Sequence, residues 1–524
     1  MTTDTPPQPE GLLEGEEHAH VVTLVGEDDG ARTPPGTFRK IGLGMATLLA
    51  AIVCTYVVPA LSFARPWVAG VDPVPFWNII GRELMGEGAV DAEVEAREEA
   101  TEVLAQHVLA DEDVAPIEDK PIVTPTKSSA LPPYQPHPDD AEVPTQSIEL
   151  PNETALDGFL GRLARTDAGY AGAVTRVVHW GDSVVAADHI SSAARAKMQK
   201  RFGDAGHGFH LLARPNASYV HKAIEFRDGE AWSRCYIINK CKSDGRYGLG
   251  GTTVWSSGGA QTRFRTSDST ANGRKASRIE LWYMAEPKGG NVKIQVDDGE
   301  PVIVSTTADA IRDGWHAVDV ADGPHSFEVR ASGGGRVRLY GVVIERDVPG
   351  VVWDGMAQLG AFTSRMLYFD ADHIRDQIEH RDAGLLVFMF GGNDLQMPSH
   401  RLDEYGETLR AMLKKFRAQK DPPDCLVMSP VDHGVRESQR IVSNPMVAKI
   451  TKVQREIAFA EGCAFFDTQA AMGGDGSVAR WRKSSPPRIS GDLAHLTDAG
   501  QKVLGHMLYV AILQRYVEYR GRKG

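Results

Sequence analysis

The sequence predicts an α/β protein with an antiparallel β-sandwich inserted into it and one transmembrane helix ahead of it. Three observations carry this. Apolar strands alternate with helical stretches from about residue 151 to the C-terminus. Residues 212–348 break that alternation with short alternating runs separated by Gly- and Ser-rich turns. A continuous apolar run, Ile41 to Ala64, precedes both.

With 524 residues the chain has room for roughly two to four folded units. Charged residues make up 24% and hydrophobic residues 42%, which suits a globular chain with a sizeable core. The net charge of -13 argues against broad nucleic-acid binding, so no nucleic-acid partner is expected. The five cysteines contain no CxxC pair. No metal or nucleotide motif is evident, and no cofactor or metal is expected. Cys425 and Cys463 each fall in an apolar strand and read as buried free thiols. Cys235 and Cys241 lie close together and are candidates for a disulfide in an oxidising compartment.

Residues 1–40 are polar and acidic and read as a disordered cytoplasmic tail. Arg39 and Lys40 then precede residues 41–64, whose length suits a bilayer span and whose basic flank keeps the N-terminus cytoplasmic. A cleaved signal peptide ending at Ser62-Phe63-Ala64 is the competing reading; the long leader favours an uncleaved anchor. The expected location is therefore the inner membrane, single-pass, with the folded part on the periplasmic side. Residues 65–150 combine a helical stretch with a linker broken by Pro116, Pro121, Pro125, Pro132, Pro133, Pro136, Pro138 and Pro144. Extended as polyproline II, residues 111–150 would span on the order of 100 Å.

The α/β domain is expected in two parts, residues 151–211 and 349–524, around the insert at 212–348. Strands are expected at Thr175–Trp180, Leu385–Phe390, Cys425–Met428 and Cys463–Phe466. Helices are expected near 402–419, 443–461 and 498–519. In the insert, Arg278–Tyr283, Val292–Val296, Ser326–Arg330 and Val337–Val343 alternate as strands do. Trp255, Trp282 and Tyr283 there are candidates for stacking on sugar rings, against the commoner fate of core packing.

Three segments carry the chemistry. Gly181-Asp182-Ser183 follows the first strand and precedes a helix, at the edge where parallel sheets place their sites. Gly391-Gly392-Asn393-Asp394 follows a later strand, and the Asn393 amide can donate to an oxyanion without carrying charge. Asp492-Leu493-Ala494-His495 precedes the last helix, with Thr497 as its N-cap. There a histidine can take a serine proton while the carboxylate orients its ring. Four other Asp-x-x-His pairs exist: Asp204/His207, Asp313/His316, Asp322/His325 and Asp370/His373. Only Asp492 and His495 follow the last expected strand. Gly355 and Gly360 follow the insert, and either can lend a backbone N–H.

Taken together and in this order, the segments resemble the SGNH (GDSL-like) hydrolases, over about residues 151–211 and 349–524. The resemblance implies a flavodoxin-like three-layer α/β/α fold and ester hydrolysis through an acyl-serine. It implies Ser183 as nucleophile, His495 as general base and Asp492 as its orienting carboxylate. Asn393, Gly360 and the Ser183 backbone N–H would form the oxyanion hole. The stretch Arg201-Phe202-Gly203-Asp204-Ala205-Gly206-His207-Gly208-Phe209 looks like that of membrane-anchored bacterial esterases related to peptidoglycan O-acetylesterases, some of which carry a carbohydrate-binding-like β-sandwich. The expected partner is thus an O-acylated glycan or peptidoglycan, with the membrane engaged through the N-terminal helix. Two further functions fit the same residues: a glycan O-acyltransferase, and an inactive envelope glycan-binding protein.

Overall fold

The computed structural model describes residues 92–110, 115–124, 131–229, 231–438 and 440–523, with Thr47, Ile52, Cys54, Thr55, Val57 and Val58. The chain divides into two units, residues 1–90 and 91–524. In the first, Val58 N donates to the Cys54 carbonyl at 2.9 Å, a helical spacing. The expected tail 1–40 and most of the expected span 41–64 lie outside the described residues. Among the described residues no helix is long and apolar enough to cross a membrane.

The second unit is built on a five-stranded parallel sheet. Its strands are β1 (Val174–Gly181), β2 (Gly350–Ala357), β3 (Leu385–Met389), β4 (Asp424–Met428) and β5 (Ala464–Phe466), in spatial order β2-β1-β3-β4-β5. Strand residues alternate between the two faces, and both faces are apolar because helices cover both. Val177, Val387, Leu426 and Phe466 join one core, Val178, Trp180, Phe388, Val427 and Phe465 the other.

In chain order the long helices are α1 (Ala92–Ala110), α2 (Asp157–Asp167), α3 (His189–Phe202), α4 (Ala371–Arg381), α5 (Leu402–Phe416), α6 (Pro445–Ala460) and α7 (Asp498–Lys523). Side chains of α2, α3 and α7 pack into the first core. Those of α4 and α5 pack into the second, joined by Ile457 and Ala458 of α6.

Two antiparallel sheets interrupt this frame. One runs in the order Arg312–Gly323, Ala276–Ala285, Val337–Glu345, Thr252–Ser256, Ser233–Tyr236; the other Ile224–Asp228, Gln261–Thr266, Ser326–Ala331, Asn291–Val296, Val302–Ser305. Ile279, Leu281 and Val342 of the first meet Phe264, Ile294 and Val329 of the second in one core. The strand Gly206–His210 also pairs with Val337–Glu345, so the β-region starts at Gly206, ahead of the boundary expected at 212. Glycines at 206 and 208 with positive φ hid this strand in the sequence. The insert shares a core with the parallel domain: Phe209, Trp282 and Tyr340 pack in the same cluster as Trp180 and Phe388.

Three expectations change. The Pro-rich segment is not an extended spacer. Ile148 is fully buried, Glu149 exchanges two backbone hydrogen bonds with Phe465 (2.7 and 2.9 Å), and Val123 exchanges bonds with Gly169 and Ala171 (2.7 and 2.9 Å). In its described residues, 115–124 and 131–150, prolines are interleaved with residues that bury or pair, so these stretches lie along the domain. Cys425 and Cys463 are joined as a disulfide rather than free, because β4 and β5 are neighbours; Cys235 and Cys241 are joined as well. Trp282 is core, its indole N–H bonded to Glu280 at 2.8 Å, and is closed to any sugar. The face of Trp255 is occupied by the Lys242 ammonium, 3.6 Å from the ring centroid.

Candidate active site

Because β1 is flanked by β2 and β3, the loops leaving these three strands open side by side at one sheet edge. Ser183 leaves β1, Gly360 leaves β2 and Asn393 leaves β3. Asp492 and His495 come from the loop before α7, fourth at that edge.

The side chains of three of these residues form a continuous relay. Ser183 Oγ lies 2.9 Å from His495 Nε2, and His495 Nδ1 lies 2.7 Å from Asp492 Oδ2. The second oxygen of Asp492 accepts the backbone N–H groups of Ala494 and His495, both at 3.0 Å, and the Ser490 hydroxyl. Burial works to raise the Asp492 carboxyl, but these hydrogen bonds outweigh it and hold the group well below the usual carboxylate range. Asp492 is thus a fixed anion facing the ring. The loop takes this shape because Leu493 adopts a left-handed backbone (φ 61°) while its carbonyl accepts Gly434 N at 2.7 Å. Thr497 caps α7, its hydroxyl accepting Gly500 N at 3.2 Å. His495 and Asp492 are about half exposed, 51% and 53%, so water reaches the relay.

Asn393 Nδ2 donates one hydrogen bond to the Ala361 carbonyl at 3.0 Å, which leaves its second amide hydrogen for a ligand. Among the described residues, no protein acceptor receives the backbone N–H of Ser183 or Gly360. Gly360 has φ 78°, and a β-carbon there would meet nothing within 4 Å, so the loop is open at that point. Gly355 lies inside β2 instead, where a β-carbon would come 2.5 Å from Ser191 Oγ; its glycine serves packing against α3. One sequence expectation changes here. Ser183 starts a 3-10 turn, Ser183–Asp188, and α3 begins only at His189, so the dipole of α3 is not aimed at Ser183 from its own terminus.

Asp182, Asp394 and His433 join the site without having been singled out. Asp182 is buried and accepts Val184 N (3.1 Å) and Gly392 N (3.0 Å). Burial pushes its carboxyl up to about 6, with the nearby Asp394 adding to the rise. Asp394 accepts the Thr363 N–H (3.0 Å) and hydroxyl (2.8 Å), and burial raises it too. These bonds, with Gln358 N to the Gly181 carbonyl at 2.7 Å, bind the three loops into one unit. His433, on the loop after β4, donates from Nδ1 to the Val431 carbonyl (2.8 Å) and brings its Nε2 within 3.5 Å of where a β-carbon on Gly392 would stand. Burial lowers its affinity for a proton. The signal available was its place, Val431-Asp432-His433, just past a strand at the same edge.

The other Asp-x-x-His pairs are used elsewhere. His373 is buried, with Nδ1 2.7 Å from Asp313 and Nε2 accepting Gly248 N at 2.8 Å. His325 pairs with Asp297 (2.7 Å), while Asp322 pairs with Arg346. His207 is buried at the seam with the insert, and His316 lies within the strand Arg312–Gly323.

Comparison with known proteins accords with this arrangement. Residues 330–503 match the GDSL-like lipase/acylhydrolase family, a span that contains Gly360, Asn393, Asp492 and His495 but begins well after Ser183, which the insert separates from them. No curated protein matches the sequence. A solved peptidoglycan O-acetylesterase has the same fold, at 18% identity over 71% of this chain and 99% of that one, with a TM-score of 0.59. An acetyl xylan esterase (16% identity, 31% of this chain, 80% of that one, TM-score 0.24) and a salicylyl-acyltransferase from a tetracycline biosynthetic pathway (11%, 57% and 95%, TM-score 0.27) align more loosely.

Proposed function

We propose that this chain, a serine esterase of the SGNH (GDSL-like) type, removes O-acetyl groups from a cell-envelope glycan through an acyl-serine. The observation that carries this reading is the unbroken relay Ser183–His495–Asp492. His495 Nε2 takes the hydroxyl proton as Ser183 Oγ adds to the ester carbonyl carbon. The carbonyl oxygen becomes an oxyanion, met by the Ser183 and Gly360 backbone N–H groups and the free amide hydrogen of Asn393. Collapse breaks the bond to the sugar oxygen, which leaves with the proton from His495. Water, activated by the same ring, then attacks the acyl-serine and releases acetate. Asp492 orients the ring and balances the charge that His495 gains.

The substrate class rests on the fold shared with a peptidoglycan O-acetylesterase. The half-exposed relay admits water as the second nucleophile. An outward location on the membrane fits two disulfides in one chain and the basic-flanked apolar run Ile41–Ala64. The test is release of acetate from O-acetylated peptidoglycan, with mass-spectrometric mapping of a fluorophosphonate adduct. Labelling at Ser183 together with acetate release is the expected result. Labelling without acetate release would leave an esterase of another substrate.

A further inference from the structure

Twenty-four residues past Ser183, the chain enters a buried nest of imidazoles. His207 and His210 lie on the strand Gly206–His210 and His221 lies on the loop that follows. They are 3%, 0% and 7% exposed. One potential ligand atom from each lies within 4.8 Å of those of the other two. His207 Nδ1 and His210 Nε2 are 3.1 Å apart. The His210 and His221 rings have centroids 3.7 Å apart, tilted by 47°.

Three of the six ring nitrogens lack any hydrogen-bond partner, His210 Nδ1 and both of His221, and His207 keeps only a contact with the Ala223 backbone besides His210. His221 Nδ1 lies 3.3 Å from Asp188 Oδ2 but not in hydrogen-bonding geometry. Leaving a buried polar atom unpaired is costly, so three such atoms in one nest need an explanation.

We propose that His207, His210 and His221 hold a zinc ion that pins the insert to the segment carrying Ser183. Zinc with nitrogen ligands at about 2.0–2.1 Å in a tetrahedron sets those nitrogens roughly 3.3 Å apart. The 3.1 Å spacing of the first pair fits two ligands of one ion. Imidazoles without thiolates suit zinc, and a set without several oxygens does not suit calcium or magnesium. Two carboxylates border the nest: Asp188, 3.3 Å from His221 and paired with Arg195, and Asp204, which accepts the backbone N–H groups of Gly206 and Gly273.

The ion would be structural. It lies at a closed seam, and Asp188 carries its effect toward the active site. Asp188 ends the turn that Ser183 begins, accepts Lys222 N at 2.9 Å and pairs with Arg195. Ala187 N donates to the Ser218 carbonyl at 3.2 Å, a second tie between the same two segments. The spacing His207-x2-His210-x10-His221 matches none of the usual zinc signatures, which is why no metal was expected from the sequence.

The test is elemental analysis of the full-length protein purified without a polyhistidine tag. About one zinc per chain is expected in the wild type and in Ser183→Ala, so the result is independent of the proposed reaction. His210→Ala and His221→Ala should retain less than about a tenth of that metal. Chelator-treated wild type should melt at a lower temperature and regain its transition on adding zinc. Cobalt in its place should give the visible bands of a tetrahedral site. If the variants fail to fold, the chelation and cobalt measurements on wild type decide. A metal-free wild type indifferent to both zinc and cobalt would overturn the proposal.

Discussion

The Asp182 carboxylate accepts the Gly392 backbone N–H at 3.0 Å across 210 residues of sequence, and so joins the loop of Ser183 to the loop of Asn393. With Val184 N on its other oxygen, this one buried side chain ties together the loops of the proposed nucleophile, Ser183, and the proposed oxyanion donor, Asn393.

Asp182→Asn tests that tie through pH. Burial raises the Asp182 carboxyl from its ordinary value near 3.8 to about 6, so the folded protein holds this proton more tightly than the unfolded chain. The group therefore subtracts stability as pH climbs from about 4 to about 6, by about 3 kcal/mol in all. Asparagine does not titrate. Measured against wild type by chemical denaturation, the variant should gain stability across that window and stay level above it. Because the amide cannot accept both N–H groups as the carboxylate does, kcat should fall roughly five- to tenfold, the value of one net hydrogen bond. A pH-independent stability difference would refute the shifted carboxyl.

Ser183→Ala should lower kcat on a small aryl ester by roughly 10⁴–10⁶, the cost of removing a triad nucleophile. The thermal transition should hardly move, since Ser183 Oγ bonds only the half-exposed His495. Activity equal to wild type would place the nucleophile elsewhere.

For Asn393→Ala the expected loss is roughly 10²–10³ in kcat with little change in KM. The Ala361 carbonyl loses its donor at the same time, so Asn393→Asp is a useful partner variant. It keeps the shape, removes both amide donors and adds a charge that repels the oxyanion. If the aspartate variant outran the alanine one, Asn393 would be shaping the loop rather than stabilising the oxyanion.

The parallel sheet was legible because Leu385–Phe390, Cys425–Met428 and Cys463–Phe466 are short apolar runs buried on both faces, and such runs stand out against polar helix surfaces. Ser183, Asn393, Asp492 and His495 were legible because each follows a strand or precedes a helix at one edge. What stayed hidden needed tertiary neighbours. Asp182 reads as a turn residue until Gly392 is placed beside it. Cys425 and Cys463 read as core until β4 and β5 are known to be adjacent. Ile148 and Glu149 sit in a Pro-rich stretch whose composition suggests a spacer, while their partners lie more than 300 residues away.

The two disulfides should differ in worth. Closing the longer loop, a separation of 38 residues between Cys425 and Cys463, restricts the unfolded chain by about 4 kcal/mol on the chain-entropy scale. The loop between Cys235 and Cys241, a separation of 6, is worth about 2 kcal/mol on the same scale. Cys425→Ala/Cys463→Ala should therefore destabilise more than Cys235→Ala/Cys241→Ala in denaturant titration. The reverse order would mean that native-state strain or packing outweighs loop closure.

A histidine scan tests His495, the proposed catalytic base, against its look-alikes. His495→Ala should remove nearly all kcat, because no other base lies within hydrogen-bond reach of Ser183 Oγ among the described residues. Asp492→Ala should be damaging but less so: water can partly orient the imidazole of a half-exposed relay, although the fixed anion is lost. His373→Ala should act on stability instead. It empties a fully buried position and leaves Asp313 and Gly248 N without their partner, so the cost should be about 3 kcal/mol or more, while the protein that folds keeps its kcat. His325→Ala breaks only the pairing with Asp297 and the contact with the Ala321 carbonyl at the insert surface, and should cost about 1 kcal/mol with activity retained. His316→Ala, on an insert strand, should be nearly silent in turnover. The comparison is made on kcat per folded molecule, with folding checked by circular dichroism. A folded His373, His325 or His316 variant as inactive as His495→Ala would break the assignment of the base, and an active His495→Ala would end it.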